Sequence, residues 1–192
     1  MKEVFFMAVK LKKPLEKYLE LPEGAPYQLI GGGLIMTPSP SPNHQRVSRD
    51  LEEKMVKYVE ENDPGEVLYA PIDVYLDEEN VFQPVLVYIS NKRASIITNR
   101  GIEGAPDLIV EILSPSTAYY DLRVKFNLYE KKGVQEYWII DPMQKRCEIY
   151  NLEKGKYIKT VDVMEKGNVS SKVLKGFEVS LEEVFKSVKW RS

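Results

Sequence analysis

Apolar residues recur along the chain with two periods, one helical and one typical of strands. The clearest helical pattern begins near Asn43, a candidate N-cap, and is expected to end in the polar, proline-containing segment 61–65. Four apolar residues recur there at every fourth position, with charged residues between them: Val47, Leu51, Met55 and Val59. This spacing predicts one long amphipathic helix. A shorter helix is predicted over 15–21, before Pro22.

Short apolar runs bounded by turn residues predict the strands. Segments 27–30 and 34–36 flank three glycines and predict a tight hairpin. Segments 67–76 and 81–89 predict two longer strands joined by a turn at 77–80. The run 106–113 is almost continuously apolar, which is typical of a central strand covered on both faces.

The second half of the chain continues this alternation. The polar, basic segment 91–104 predicts a mobile loop. A helix is predicted over 121–132, with Gly133 ending it, and Ser180 is expected to cap a short final helix. Strands are predicted at 135–141, 147–151 and 157–163. The middle of the chain therefore contains a helix, three strands, a helix and a strand, an order that favours a mixed sheet with helices packed against it.

Composition narrows the class of protein. The 192 residues are 43% hydrophobic, and 27 basic residues nearly balance 29 acidic ones. No global attraction to a polyanion follows from a net charge of −2. The single cysteine and single histidine exclude an intrachain disulfide and multi-histidine metal sites, and they favour a reducing, cytoplasmic compartment. The apolar run 4–9 is too short to span a membrane.

Candidate chemistry centres on the predicted central strand. Alternation places Asp107 and Glu111 on one face of it. In the following helix Asp121, Lys125 and Tyr129 form one stripe, so that Lys125 can reach the carboxylates. Carboxylates with a nearby lysine can hold a divalent cation and orient an attacking water. The alternative is that Glu111 and Lys125 form a structural ion pair.

Several motifs occur in an order that resembles a known family. They are the segments 27–47 (YQLIGGGLIMTPSPSPNHQRV), 104–117 (GAPDLIVEILSPST) and 133–142 (GVQEYWIIDP), with Gln83-Pro84 and the pair Asp121 and Lys125. Together they resemble the Uma-type putative restriction endonuclease family of the PD-(D/E)XK nuclease superfamily, over roughly residues 12–165. The resemblance implies a metal-dependent DNA endonuclease using Mg²⁺ or Mn²⁺, and two-strand cleavage suits a homodimer.

Carried onto this chain, the resemblance gives an incomplete site. Glu111 matches the second metal-binding acid of the family, and Lys125 matches a lysine on the following helix. Val85 stands where the first metal-binding acid follows the Gln-Pro pair, and valine cannot bind a metal. Three further acidic positions of the family are occupied by uncharged residues here: Gln28, Gly31 and Gly33.

Other residues are candidates for completing the site. Asp73 is expected opposite Val85 across a hairpin, and Asp107 shares a face with Glu111, so either can supply a replacement metal ligand. Possible phosphate contacts are His44, Lys92, Arg93 and Arg100. Each of these residues has an alternative role as a structural or solvated side chain.

The predicted fold is α/β (α+β), a restriction-endonuclease-like mixed, curved sheet with an α-β-β-β-α-β core. A single domain over 1–192 is expected, with an N-terminal helix and hairpin (1–42), the nuclease core (43–165) and a C-terminal strand and short helix (166–192). The predicted function is a metal-dependent DNA endonuclease with a degenerate metal site. The alternative is a catalytically silent nucleic-acid-binding or protein-interaction module that retains the fold.

Overall fold

The computed structural model describes residues 12–22, 24–114 and 118–189. The apolar run at 4–9 lies outside these ranges, so its predicted character is not addressed by the structure. Among the described residues no helix is long and apolar enough to cross a bilayer.

The first half of the described chain contains two helices and nine short strands up to the central strand. In chain order they are α1 (Pro14–Leu19), β1 (Tyr27–Ile30), β2 (Gly33–Met36), α2 (Pro42–Asn62), β3 (Gly65–Tyr69), β4 (Val74–Asp77), β5 (Asn80–Phe82), β6 (Leu86–Ser90), β7 (Ile97–Thr98), β8 (Gly101–Glu103) and β9 (Leu108–Ile112). A 3₁₀ segment, Asn91–Ile96, precedes β7.

The second half begins with a helix and continues as a meander. A π-helical turn, Tyr120–Lys125, leads directly into α3 (Phe126–Lys132). The elements that follow are β10 (Glu136–Asp141), β11 (Arg146–Glu153), β12 (Lys156–Met164), β13 (Asn168–Ser170), β14 (Glu178–Ser180) and α4 (Leu181–Val184).

Two six-stranded mixed sheets organise the molecule. The central sheet has the order β12-β11-β10-β9-β6-β3, with β9 parallel to β10 and antiparallel to β6. The second sheet has the order β2-β1-β5-β4-β8-β7. The sequence α2, β3, β6, β9, α3, β10 is the predicted α-β-β-β-α-β core, so the fold class is confirmed.

The core lies on both faces of the central sheet, as the continuous apolar run of β9 predicts. Leu108, Val110 and Ile112 pack with α2, α4 and the C-terminal segment, residues 168–188. Ile109 faces the opposite side, where α3 and residues of the second sheet pack. All five residues of β9 are buried, so Glu111 is a carboxylate inside an otherwise apolar strand.

The long helix is confirmed, with a different cap. Its apolar stripe is buried against the central sheet. Ser41 is the N-cap and accepts a hydrogen bond from the His44 backbone N–H at 3.2 Å, while Pro42 begins the helix. Asn43 is therefore not the cap, because proline is favoured in the first helical turn and the hydroxyl one residue earlier satisfies the free N–H.

The two long strands predicted at 67–76 and 81–89 are each divided in two. Their outer parts, β3 and β6, pair in the central sheet, and their inner parts, β4 and β5, pair in the second sheet. Each division falls at a proline, Pro71 or Pro84. Proline interrupts a ladder because it lacks an N–H, and the chain uses both interruptions to pass from one sheet to the other.

The segment 91–104 is not the open loop that its polarity predicts. It forms the 3₁₀ segment and the β7–β8 hairpin, and β8 pairs in parallel with β4. Ile102 is fully buried there, and Ile96 and Ile97 pack beside it. The burial of these isoleucines and the pairing of β8 with β4 together attach the segment to the second sheet.

Candidate active site

A buried ionic cluster joins β9 to the helix that follows it. Lys125 donates to Glu111 Oε1 at 2.8 Å and lies 3.0 Å from Asp121 Oδ1. Tyr129, one turn further along, donates its hydroxyl to the same Oε1 at 2.9 Å. The stripe predicted on this helix therefore does converge on the central strand, and the predicted contact between Glu111 and Lys125 is confirmed.

Burial and mutual charge set the electrostatics of this cluster. Glu111, Asp121 and Lys125 are only 2–4% exposed. Burial, reinforced by the Asp121 carboxylate, raises the pKa of Glu111 to about 7, although Lys125 and Tyr129 oppose the rise. For Lys125 burial lowers the pKa, but the two carboxylates outweigh it and the pKa is raised, so the ammonium stays charged. The cluster thus contains one permanently charged ammonium, that of Lys125, and one carboxyl group, that of Glu111, whose pKa lies near neutral pH.

The cluster lies in the wall of a cleft of about 340 Å³, the first cleft. The proline-containing loop, the start of α2 and the end of β9 surround it, with Gln83 and Val85 on another side. The buried Val85 side chain presents only methyl groups to this space. Position 85, where the family resemblance expects an acid, therefore lines the cleft, but its valine side chain cannot bind a metal.

Gln28 also lines the first cleft and has a structural role there. Its side-chain oxygen accepts from the Gln83 backbone N–H at 3.0 Å, and its amide donates to the Thr37 hydroxyl at 3.1 Å. The predicted hairpin is present: Gly31 and Gly32, with φ values of 56° and 80°, form its two-residue turn, and Gly33 already pairs in β2. Of the hairpin positions that lack acids, Gly31 therefore permits the turn conformation, and Gln28 makes uncharged hydrogen bonds.

His44 is the predicted phosphate contact that the structure brings closest to the cluster. It lines the first cleft from the first turn of α2, and its Nδ1 is buried without a hydrogen-bond partner among the described residues. Burial is the main cause of a lowered pKa, against which the Asp121 carboxylate acts. The ring is therefore neutral at neutral pH.

Asp107 is remote from the cluster although it shares a strand face with Glu111. Four residues of extended chain separate their Cα atoms by about 13 Å. The Asp107 carboxylate accepts from the Ser90 backbone N–H at 2.8 Å and pairs with Arg93 at 3.1 Å. The structure thus joins Asp107 to the 3₁₀ segment.

Asp73 lines a second cleft and directly precedes β4 of the second sheet. Its carboxylate accepts hydrogen bonds from Tyr18, Gln83 and Tyr75 at 2.8–3.0 Å. It does not line the first cleft, whereas Gln83 lines both.

The basic residues of 91–104 are divided among different contacts. Arg93 is occupied by Asp107 and by the Ala105 carbonyl. Arg100 lies over the Tyr75 ring, 4.3 Å from its centroid, and pairs with Glu103 at 3.3 Å. Lys92 is exposed.

Whether these residues fit a divalent metal depends on the free ligand atoms. Lys125 and Tyr129 both donate to Glu111 Oε1, and no described residue donates to Oε2. Among the described residues no group of three histidine, cysteine or acidic side chains is placed to hold a metal. Mg²⁺ can bind through one or two carboxylates with waters and phosphate oxygens. A divalent ion at this place would therefore be held mainly by Glu111, with waters and phosphate oxygens completing its coordination.

Comparison with known proteins agrees with this geometry. A model of the Uma2 family, described as putative restriction endonucleases, matches residues 15–182. The chain is 28% identical over 125 residues to the uncharacterized protein sll1609 of Synechocystis sp., which covers 64% of this chain and 70% of that protein. It superimposes with a TM-score of 0.75 on the crystal structure of a putative nuclease belonging to DUF820 from Anabaena variabilis, at 21% identity, covering 90% of this chain and 97% of the other.

Fold and cluster together define a restriction-endonuclease-like protein. The chain belongs to the Uma2 family of putative restriction endonucleases, because that family model covers most of its length. The resemblance carried by the sequence motifs is thereby confirmed. The similarity to the Anabaena structure, at 21% identity, establishes the shared fold.

Residue patterns left two parts of this arrangement undetected. One is the Tyr129 hydroxyl bond to Glu111: the helical stripe included Tyr129 but did not reveal its role. The other is Gln83, which forms part of both clefts. The only signal for Gln83 was its place beside Pro84 in the Gln-Pro pair.

Proposed function

We propose that this protein is a metal-dependent DNA endonuclease with a weakened metal site. The observation that carries the proposal is the buried cluster of Glu111, Lys125 and Asp121 in the wall of the first cleft. A carboxylate with one oxygen to which no described residue donates, beside an ammonium paired with two acids, suits phosphodiester hydrolysis. Membership of the Uma2 family supports the same reaction class.

Each residue of the cluster has a distinct part in this proposal. Glu111 Oε2 is the atom that would hold Mg²⁺ or Mn²⁺, while the Tyr129 hydroxyl fixes the carboxylate through Oε1. A bound metal supplies Lewis acidity toward a phosphoryl oxygen and a lower pKa for an attacking water. Lys125 has three N–H donors. One is hydrogen-bonded to Glu111 Oε1, and the ammonium forms an ion pair with Asp121 Oδ1 at 3.0 Å. A remaining donor can orient a water or a phosphate oxygen.

A silent binding module is the second candidate function, and Val85 is the observation that favours it. Its methyl groups remove one ligand and one negative charge from the cleft wall. In that case the first cleft binds the phosphate backbone or a protein segment without hydrolysis. Neither Asp73 nor Asp107 lines this cleft, so both would need rearrangement to act as replacement ligands.

The remaining features of the proposal follow from the reaction. DNA is the proposed substrate, and a homodimer would place two such clefts against the two strands of a duplex. His44 and the exposed Lys92 are the proposed phosphate contacts that have no ion pair among the described residues. The single cysteine, which is buried, suits a cytoplasmic protein.

Replacing Val85 by aspartate tests the metal site directly. We expect Val85→Asp to raise the Mg²⁺ and Mn²⁺ affinity at least about tenfold, because it restores a charged ligand in the first cleft. Calorimetric titration measures the affinity, and conversion of supercoiled plasmid to nicked and linear forms measures cleavage. Val85→Asn is the matched control, since it adds similar polar bulk without charge.

The outcomes distinguish the two functions. Metal-dependent nicking by the unmodified protein that is abolished in Glu111→Gln supports the endonuclease, and a gain in Val85→Asp supports the weakened site. Cutting that Val85→Asp does not improve contradicts the weakened site. No nicking by either protein, together with retained DNA binding, favours the silent module. Circular dichroism of each variant confirms that Val85→Asp, which alters a buried position, remains folded.

A further inference from the structure

A second cleft adjoins the first and has no assigned role. Its volume is about 630 Å³, which lies within the range of small-molecule sites. Its walls include Tyr18, Asp73, Tyr75 and Arg100. Gln83 and Pro71 line both clefts, so the two spaces share a wall.

The Asp73 carboxylate is fixed in this second cleft by neutral donors. Tyr18 and Gln83 donate to Oδ1 at 2.8 and 2.9 Å, and Tyr75 donates to Oδ2 at 3.0 Å. Burial, reinforced by Asp73 itself, raises the pKa of Tyr18 well above its ordinary value and that of Tyr75 to about 12. Both hydroxyls therefore remain protonated donors. No lysine or arginine among the described residues forms an ion pair with Asp73.

Counting hydrogen-bond sites shows what a ligand would have to supply. An ionised carboxylate has about four lone-pair sites, and the described residues use three of those on Asp73. The one that remains lies on Oδ2 and calls for an N–H or O–H donor. Two tyrosine rings flank the carboxylate, and the Arg100 guanidinium covers the Tyr75 ring at 4.3 Å. Aromatic walls beside one fixed acceptor are typical of sites for flat, partly polar ligands.

We propose that the second cleft binds a nucleobase carrying an exocyclic amino group, belonging to a nucleotide close to the one whose phosphate occupies the first cleft. Asp73 accepts the amino N–H, and the tyrosine rings contact the base. The proposal rests on the proposed function in one respect: a DNA strand must lie in the first cleft. The shared wall at Gln83 suits a strand that passes from one cleft into the other.

The chemistry of the carboxylate sets a base preference. Cytosine presents an amino group that aspartate or glutamate can accept, and a well-formed contact of this kind discriminates by about tenfold or more. Thymine has no amino group. Its only ring N–H lies between two carbonyl oxygens, which a carboxylate repels. The second cleft should therefore favour cytosine over thymine in a flexible, unpaired strand.

Binding of two short single strands tests this preference. Fluorescence anisotropy at pH 7.5 compares labelled dC₁₀ with dT₁₀, with Ca²⁺ present to avoid cleavage. We expect the unmodified protein to bind dC₁₀ about tenfold more tightly. Asp73→Asn should reduce the ratio to within about twofold, because it replaces the charged acceptor. Glu66→Gln, an exposed carboxylate on β3, is the matched control and should keep the tenfold ratio.

Failure of this inference differs from failure of the proposed function. Equal binding of dC₁₀ and dT₁₀ overturns the base site, as does a preference that survives in Asp73→Asn, whatever the plasmid assay shows. Absence of binding to either strand also overturns it. If Asp73→Asn does not fold, the unmodified protein is tested by competition against labelled dC₁₀. Cytidine 5′-monophosphate should then displace the strand at lower concentration than thymidine 5′-monophosphate, and equal displacement overturns the base site. Nicking of plasmid is scored separately and depends on Glu111, not on Asp73.

Discussion

At the scale of single residues, Glu111 shows how one environment can support two different roles. Its contact with Lys125 was expected whether the pair is catalytic or structural, and the observed 2.8 Å distance agrees with both. The geometry adds two features: no described residue donates to Oε2, and the carboxylate lies in a cleft wall. These two features are what favour a binding or catalytic role over a purely structural one.

The raised pKa of Glu111 predicts a pH-dependent stability. The pKa of Glu111 is about 7 in the folded protein and near 4.5 in the unfolded chain. Between these two pH values the folded state therefore keeps a proton that the unfolded state has released. The stabilising contribution is complete below about pH 4.5 and is lost as the pH rises through 7. The full shift corresponds to about 3 kcal/mol. Lys125 remains charged throughout this range, because its pKa is raised.

Urea unfolding of the unmodified protein and of Glu111→Gln, at a series of pH values from 4.5 to 8, measures this contribution. Glutamine mimics the neutral carboxyl, so the difference in unfolding free energy between the two proteins should change by about 3 kcal/mol in the stated direction. A difference that is constant with pH would show that Glu111 is ionised throughout. The same protonation should weaken metal binding below pH 7, since a ligand carboxyl must be ionised.

Among contacts between elements, a further buried carboxylate, that of Glu136, joins the segment after β13 to the central sheet. Glu136, the first residue of β10, is fully buried. It accepts from Trp138 at 2.6 Å and Asn151 at 2.8 Å, and from the backbone N–H groups of Lys172 and Val173 at 2.7 and 3.2 Å. Every donor among the described residues is neutral, and none of them forms an ion pair with Glu136, so hydrogen bonds hold this carboxylate in place.

Glu136→Gln should therefore be strongly destabilising. The amide has one acceptor oxygen in place of two, and its NH₂ would face N–H donors, so we expect a loss of about 2–4 kcal/mol in unfolding free energy. Glu153→Gln, on an exposed pair with Lys172 at 3.4 Å, should change it by less than about 0.5 kcal/mol. Chemical denaturation of both variants measures these two changes in unfolding free energy. Similar effects would mean that Glu136 does not hold the C-terminal segment in place.

At the scale of the whole molecule, the central sheet is shared by both large apolar clusters. One cluster contains Val110 and the other Ile109, neighbouring residues of the same strand. Loss of β9 would expose both faces at once. We therefore propose that residues 12–189 form one folding unit, in keeping with the predicted single domain.

Calorimetry tests this unity. We expect one thermal transition whose calorimetric and van't Hoff enthalpies agree, because neither apolar cluster can persist without the central sheet. Two resolved transitions, or early loss of the second sheet detected by hydrogen exchange in β1 and β5, would show separate folding units.

The elements whose patterns are local could be predicted from the order of residues alone. The period of α2, the hairpin glycines, the apolar run of β9 and the helical stripe of Lys125 each depend on neighbours within a few residues, and each was predicted correctly. Family membership was also evident, because the motifs occur in a fixed order.

Which polar residues share a site depends instead on how distant strands pair. Asp107 and Glu111 lie on one strand face but about 13 Å apart, and Asp73 lies in the second cleft because the chain changes sheets at Pro71 and Pro84. The point at which the chain passes from one sheet to the other depends on which distant strands pair with it. The local pattern of 67–89 does not predict that pairing. The division of two predicted strands into four therefore separated Asp73 from Glu111 and placed Gln83 between two clefts.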